Sequence, residues 1–157
     1  MNMVVCRFAA AVVLGALGCQ AALAQPASVD RGRYLARIAG CNDCHTTGYA
    51  QTGGKVAEDK WLLGDNVGFS GPWGTTYPPN LRLSLAKMTE DQWVAFARSS
   101  QLRPPMPWFA LRDMSSTDLR SIYRFVRQLP GGPGQPAPAF LPPGTKAAGP
   151  VITFPAN

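Results

Sequence analysis

Cys41-Asn42-Asp43-Cys44-His45 is the most informative segment of this sequence. Two cysteines three residues apart lie on the same side of a helical turn, so both thiols can reach the two vinyl groups of one porphyrin. The histidine that follows can then place its imidazole on the iron, and this spacing is the attachment sequence of haem c. We therefore expect Cys41 and Cys44 to hold one haem covalently and His45 to be a ligand of the haem iron.

Two other uses of a cysteine pair fit the sequence less well. A structural zinc site takes four ligands, but His45 is the only histidine among the 157 residues, so carboxylates would have to complete the set. A thioredoxin-like redox pair belongs to an α/β pattern of strands and helices, and the sequence shows no such strands. Haem attachment is therefore the preferred interpretation.

The first 24 residues have the pattern of a signal peptide. An apolar run covers residues 8–17, and Ala22-Leu23-Ala24 supplies the small-x-small pattern of a cleavage site before Gln25. We expect export to the periplasm and no transmembrane span in the mature form, because the apolar run is too short to cross a bilayer. An uncleaved N-terminal anchor is the alternative. Cleavage would leave two cysteines, those of the attachment sequence.

Positive charge is concentrated in the second half of the chain. Without Arg7 of the leader, the 15 basic residues become 14, against 9 acidic ones, which gives a net charge of +5. Residues 25–80 carry five of each sign, whereas residues 81–129 carry eight basic and four acidic side chains. Export makes nucleic acid an unsuitable partner, so this charge favours an acidic protein or an anionic membrane surface. Scattered solubilising charge is the other interpretation.

The second axial ligand of the iron cannot be a histidine, because the chain has no other. The methionines beyond the leader are Met88, Met106 and Met114. Met88 and Met114 each directly precede a predicted helix cap, where a hydrophobic staple is typical. Met106 lies in Arg103-Pro104-Pro105-Met106-Pro107-Trp108, whose prolines forbid a regular helix and limit backbone freedom. We expect Met106 to be the sixth ligand, with filling of the core as its alternative role.

Three helices are predicted in the mature chain. Ser28 begins the first and Gly40 ends it, Thr89 and Gln92 form a capping box for the second, and Ser115 begins the third. Their apolar faces are predicted at Leu35, Ile38 and Ala39 in the first helix and at Leu119, Ile122, Tyr123, Val126 and Leu129 in the third. Residues 46–80 show no strand pattern. The sequence therefore predicts an all-α fold in which a few helices and long loops wrap around one haem.

A proline-rich tail follows the predicted haem domain. Residues 130–150 contain 12 Pro or Gly among 21, a composition typical of an extended chain. We place the domain at residues 25–130 and the tail at residues 131–157. The later apolar residues of the tail indicate that it lies against the domain, and we expect it to stay outside the haem pocket. These residues are Phe140, Leu141, Val151, Ile152 and Phe154.

With these motifs the chain resembles the class I monohaem cytochromes c, and among them the bacterial cytochromes that serve periplasmic dehydrogenases. The resemblance covers about residues 29–129. It is carried by the attachment sequence, by Met106-Pro107-Trp108 and by Gly71-Pro72-Trp73-Gly74-Thr75-Thr76-Tyr77-Pro78-Pro79-Asn80. Such relatives often continue as Asn-Ile-Thr-Pro, whereas this chain has Asn80-Leu81-Arg82-Leu83, which weakens the inference to any particular dehydrogenase.

The resemblance implies a cytochrome c fold whose first and last helices cross near Gly32 and Tyr123. It also implies that a loop carbonyl, with that of Pro72 as the candidate, accepts the Nδ1 proton of His45 and fixes the ring. The residues that would line the haem pocket or pack near it are Pro72, Trp73, Tyr77, Asn80, Trp108 and Phe109.

The expected function is that of a periplasmic single-electron carrier between a dehydrogenase and a terminal acceptor, such as an oxidase or another cytochrome. We expect no catalytic residues and no substrate turnover. Two alternatives remain open at this point. One is a haem protein that binds or senses a ligand at an open sixth position. The other is a haem c subunit that stays docked to a dehydrogenase.

Overall fold

The computed structural model describes residues 25–155 and contains six helices and a small three-stranded sheet. The predicted signal peptide, residues 1–24, lies outside the described residues. The helices are α1 (Val29–Ile38), α2 (Cys41–His45), α3 (Leu81–Ala86), α4 (Glu90–Ser99), α5 (Trp108–Asp113) and α6 (Ser116–Gln128). The strands are β1 (Gly68–Gly71), β2 (Gly74–Thr76) and β3 (Val151–Thr153), and a single 3₁₀ turn covers Glu58–Lys60.

Helices α1 and α6 pack closely at a glycine. Ser28 caps α1, as predicted, because its hydroxyl accepts a hydrogen bond from the amide of Arg31. A Cβ atom on Gly32 would lie 2.0 Å from the carbonyl oxygen of Ser121 and 2.6 Å from Cβ of Phe125, so only glycine fits. Ser121 and Phe125 share one face of α6. Helices α1 and α6 therefore cross at Gly32 against residues 121–125 of α6, which include Tyr123, as the resemblance had implied.

The apolar face of α6 forms the centre of the core. Leu119, Ile122 and Val126 are buried there as predicted, and so is Phe125, which the predicted stripe omitted. The prediction for α1 was only partly right. Leu35 is buried, but Ile38 is 61% exposed and Ala39 is exposed too, so neither of these two residues faces the core.

Helix α4 begins with the predicted capping box of Thr89 and Gln92. It packs against α6 through Trp93, whose indole Nε1 donates to the carbonyl of Leu119 at 2.8 Å. The carboxylate of Glu90 bridges Arg120 and Arg124 of α6 across the same interface. The three predicted helices are thus present with their predicted caps, and they form one packed group.

The sheet corrects the expectation of an all-α chain without strands in residues 46–80. β1 pairs antiparallel with β2, with Phe69 opposite Thr76, and parallel with β3, with Phe69 opposite Ile152. The strands are only three or four residues long, and β1 and β2 also contain glycine, so no alternation of apolar and polar residues marks them in the sequence. The third strand comes from the tail, more than 70 residues later in the chain.

Helix α3 was not predicted, and it carries a buried arginine. The guanidinium of Arg82 donates to five backbone carbonyls and to no carboxylate among the described residues; the acceptors are Glu58, Asp59, Trp61, Pro130 and Gly132. Burial lowers the pKa of Arg82, with the nearby charge of Asp59 acting in the opposite direction. A planar fork of five donors can join several segments in this way. Arg82 thereby joins the 58–61 turn to the end of α6 and the start of the tail.

The tail lies along the domain. Arg82 binds the start of the tail. Farther along, the backbone of Leu141 in the tail exchanges two hydrogen bonds with the backbone of Thr75 in the domain. Phe154 packs on the ring of Trp73 at a centroid distance of 5.6 Å. In the part of the chain that the structure describes, no helix is long and apolar enough to cross a membrane.

Candidate haem-binding site

The two cysteines lie on one turn of helix α2. Gly40 adopts a left-handed conformation, with φ of 72°, so that α2 can begin directly after α1 ends. Both thiols are half-buried, and neither forms a disulfide within residues 25–155. Burial raises the pKa of Cys41 to about 11, and burial together with the charges of Asp43 and Asp65 raises the pKa of Cys44. An activated redox cysteine has a lowered pKa, so this environment disfavours the thioredoxin-like alternative.

A buried polar pair holds α2 in place. The hydroxyl of Thr46 donates to Oδ1 of Asn42 at 2.8 Å and accepts from the amide of Leu62 at the same distance. Asn42, between the two cysteines, is fully buried, and its Nδ2 has no hydrogen-bond partner among the described residues. Sequence reasoning missed both residues. The only signal in the sequence was that Asn42 and Thr46 are polar residues four positions apart, a spacing that puts them on the same side of a helix.

His45 is buried and oriented by a backbone carbonyl. Its Nδ1 lies 2.8 Å from the carbonyl oxygen of Pro79, and because a carbonyl can only accept, Nδ1 carries the proton. This leaves the lone pair on Nε2, the nitrogen that can bind a metal. Burial lowers the pKa of His45, while the hydrogen bond to Pro79 opposes that effect. The acceptor expected from the resemblance was the carbonyl of Pro72, and that assignment was wrong because the acceptor is Pro79.

Gly64 brings the segment of Pro79 close to His45. Its amide donates to the carbonyl of His45 at 2.9 Å. Its φ is 86°, and a Cβ atom there would lie 2.9 Å from both the amide of Asn80 and the carbonyl oxygen of Pro78. A side chain at position 64 would therefore push away the backbone that supplies the acceptor for His45.

Met106 lies in the loop between α4 and α5. It is half-buried and packs against the hydrophobic core, and its carbonyl accepts the amide of Trp108 at 2.8 Å, just where α5 begins. Met114 also packs against the core, immediately before the cap of α6. Met88 precedes the cap of α4, and its carbonyl accepts from the hydroxyl of Tyr123 at 2.8 Å. Ligation of iron by Met106 stays a prediction.

The remaining predicted pocket residues occupy different environments. Trp73 is half-buried, and its Nε1 has no hydrogen-bond partner in the described part of the chain, whereas Tyr77 is buried. Trp108 is half-buried, with the guanidinium of Arg112 5.5 Å from its ring centroid. Asn80 caps α3 through Oδ1, and its Nδ2 donates to the carbonyls of Pro133 and Gln135. Asn80 therefore has no free amide hydrogen for a ligand.

The donor chemistry fits haem c. Within residues 25–155 no three His, Cys, Asp or Glu side chains come together that could hold a metal ion, which disfavours the zinc alternative. Two free thiols at one-turn spacing beside a buried imidazole are the groups that haem c requires. In the part of the chain that the structure describes, the buried polar side-chain atoms without partners belong to Asn42, Trp73 and Thr76, all in the segments predicted to surround a haem.

Comparison with known proteins gives one informative similarity. The chain is 30% identical over 109 residues to the fructose dehydrogenase cytochrome subunit of Gluconobacter japonicus. The aligned region is 63% of this chain and 21% of the relative, so the chain spans about a fifth of that relative's length. No protein-family model matches the chain, and no solved structure matches it.

Proposed function

We propose that this chain is an exported single-electron carrier with one haem c, and that it serves a dehydrogenase. The observation that carries the proposal is the buried His45, held by Pro79 at 2.8 Å, one residue after a free thiol pair at one-turn spacing. Similarity to a dehydrogenase cytochrome subunit supports the same function. We propose further that the cofactor lies in a cytochrome c fold formed by α1, α2, α4, α5 and α6.

Each residue has a defined role in this proposal. Cys41 and Cys44 would hold the cofactor covalently, and Nε2 of His45 and the sulfur of Met106 would bind its iron. When bound, haem c supplies a one-electron couple between ferric and ferrous iron. The soft sulfur of Met106 favours the ferrous state and thus raises the reduction potential relative to a second histidine. The carbonyl of Pro79 makes the His45 ring a stronger ligand.

The partners in this proposal are redox proteins. The dehydrogenase donates the electron, and an oxidase or another cytochrome accepts it in the periplasm. Docking of an acidic partner suits the excess of eight basic over four acidic side chains in residues 81–129. We propose no substrate turnover by the chain itself. The permanently docked subunit is the second candidate, favoured by the name of the relative, and co-purification of a dehydrogenase with this chain would distinguish it.

A redox titration of the purified protein tests the proposal. Expression with haem-maturation machinery should give one covalent haem per chain and a reversible one-electron transition. Cyanide should enter the ferric protein slowly, because a bound methionine must first leave. Rapid binding of cyanide or imidazole by the ferric protein would favour the ligand-sensing alternative. Absence of covalent haem would overturn the proposed function as a whole.

A further inference from the structure

The tail touches the loop that carries Met106. The guanidinium carbon of Arg103 lies 4.0 Å from the ring centroid of Phe140, within the distance of a strong cation–π contact. Arg103 is three residues before Met106, and its carbonyl accepts the amide of Met106 at 3.3 Å. A side chain of the tail therefore packs on the residue whose backbone bonds directly to the predicted iron ligand.

The Met106 loop has few other polar restraints. Among the described residues, the hydrogen bonds of residues 101–107 run only within the loop or into the first turn of α5. Apolar packing of Met106 against the core adds to these bonds. Among the described residues, the cation–π contact between Arg103 and Phe140 is therefore the interaction of a polar group that joins this loop to another segment.

Phe140 itself is held firmly. The backbone of the next residue, Leu141, exchanges hydrogen bonds of 2.8 and 3.0 Å with Thr75. A Cβ atom on Gly74 would lie 2.3 Å from the carbonyl oxygen of Leu141 and 3.0 Å from the Phe140 ring, so the tail packs directly on the backbone of β2. Upstream, Arg82 and Asn80 bind four carbonyls of residues 130–135. The segment that carries the Phe140 ring is therefore bound to the domain both before and after this residue.

We propose that the tail is a strap that positions Met106, with Phe140 and Arg103 as its positioning residues. This inference rests on the proposed function, because it concerns the sixth ligand of the same iron. It reverses the expectation that the tail stays outside the haem pocket. The strap holds the Met106 loop in place, so that the sixth position of the iron is filled by the sulfur of Met106 and not by an external ligand. Removal of the strap shifts the protein from electron carrier towards ligand-binding haem protein.

Full-length variants of the holoprotein test the strap. In Phe140→Ala the loop loses its contact, so we expect weaker sulfur-to-iron absorption in the ferric protein and cyanide association about three- to tenfold faster. Phe140→Tyr keeps the ring and should stay within about twofold of the wild-type rate. The matched control is Phe154→Ala, which removes a tail ring that packs on Phe69 and Trp73 instead of Arg103. It should also stay within about twofold.

The outcomes separate the strap from the proposed function. Equal cyanide rates in Phe140→Ala and Phe154→Ala would overturn the strap while leaving His–Met ligation intact. If Phe140→Ala does not fold, Arg103→Gln decides: a faster cyanide rate supports the strap, and a wild-type rate overturns it. A wild-type ferric protein without sulfur-to-iron absorption overturns both the strap and the ligation by Met106.

Discussion

Nδ1 of His45 lies 2.8 Å from the carbonyl oxygen of Pro79. The two residues are 34 positions apart, and Gly64 brings their segments together by bonding His45 and packing on the backbone of residues 78–80. Asn80, the residue after Pro79, donates from its side-chain amide to two backbone carbonyls of the tail. The orientation of the imidazole is therefore set by backbone groups from three separate segments.

Gly64→Ala should destabilise the protein and disturb His45. The variant combines a strained positive φ with a Cβ atom 2.9 Å from two backbone atoms, and we expect a loss of about 2–4 kcal/mol in the free energy of unfolding. The control is Gly48→Ala, which has a similar φ of 76° but no atom within 4 Å of the added Cβ, and should lose only about 1 kcal/mol. Urea unfolding measures both. Equal losses would show that crowding at Gly64 is unimportant.

The cysteine pair should be required for covalent attachment. In a host with haem-maturation machinery, Cys41→Ala combined with Cys44→Ala should lose all covalent haem and fold poorly. Each single variant should keep one thioether bond and mature badly. Asp43→Asn serves as control, because this exposed residue lies between the cysteines without contributing a thiol. Acid–acetone extraction of the purified proteins measures how much haem is covalently attached. Haem retained by the double variant would refute the thioether assignment.

How far the sequence predicts the molecule depends on the range of each interaction. The caps at Ser28, Thr89 and Ser115 are local, since a side chain bonds an amide three residues on, and all three were predicted correctly. The pairing of Phe69 with Ile152 is not local. Three-residue strands have no periodicity to detect, and a parallel partner from a proline-rich tail leaves no sign in either segment.

The same difference between local and long-range interactions applies to the candidate site. The thiols and the imidazole could be proposed from the sequence because their spacing is fixed within one helical turn, whereas the acceptor for His45 was assigned to Pro72 although it is Pro79. Arg82 was noticed only as a departure from the pattern of relatives. An arginine is normally exposed, and nothing near it in sequence shows that backbone carbonyls would surround it.

The stability of the α4–α6 interface should depend on pH through Glu90. Its hydrogen bond with Arg124, followed by that with Arg120, holds the pKa of this carboxyl below its ordinary value. A carboxyl with a lowered folded pKa stabilises the protein above its unfolded pKa, about 4.3, and that contribution is lost as the pH falls through the folded pKa. Glu90→Gln should therefore be less stable than wild type at pH 7 and should approach it below about pH 4.

Urea unfolding at several pH values tests this. Asp91→Asn is the matched control, because Asp91 also pairs with Arg120 but its side chain is 81% exposed, so it should change stability little at either pH. A difference between wild type and Glu90→Gln that stays constant from pH 7 to pH 3.5 would contradict the role of Glu90.

The methionine series decides whether the protein is a carrier or a sensor. Met106 should bind the iron opposite His45, so the wild-type ferric protein should show the weak long-wavelength absorption of sulfur ligation. Met106→Ala should abolish that absorption, open the sixth position to cyanide and lower the reduction potential, because a neutral soft ligand that favours ferrous iron is lost.

Met114→Ala is the matched control for Met106→Ala, since both side chains are half-buried and pack against the same core. Met114→Ala and Met88→Ala should keep the absorption and cost only stability, on the order of 1–3 kcal/mol. The two effects are separable because loss of packing lowers the free energy of unfolding in all three variants, whereas loss of a ligand changes the spectrum and the potential in one. If the absorption survives in Met106→Ala and disappears in Met114→Ala or Met88→Ala, the sixth ligand is that other methionine, and the loop at residues 103–108 has a purely structural role.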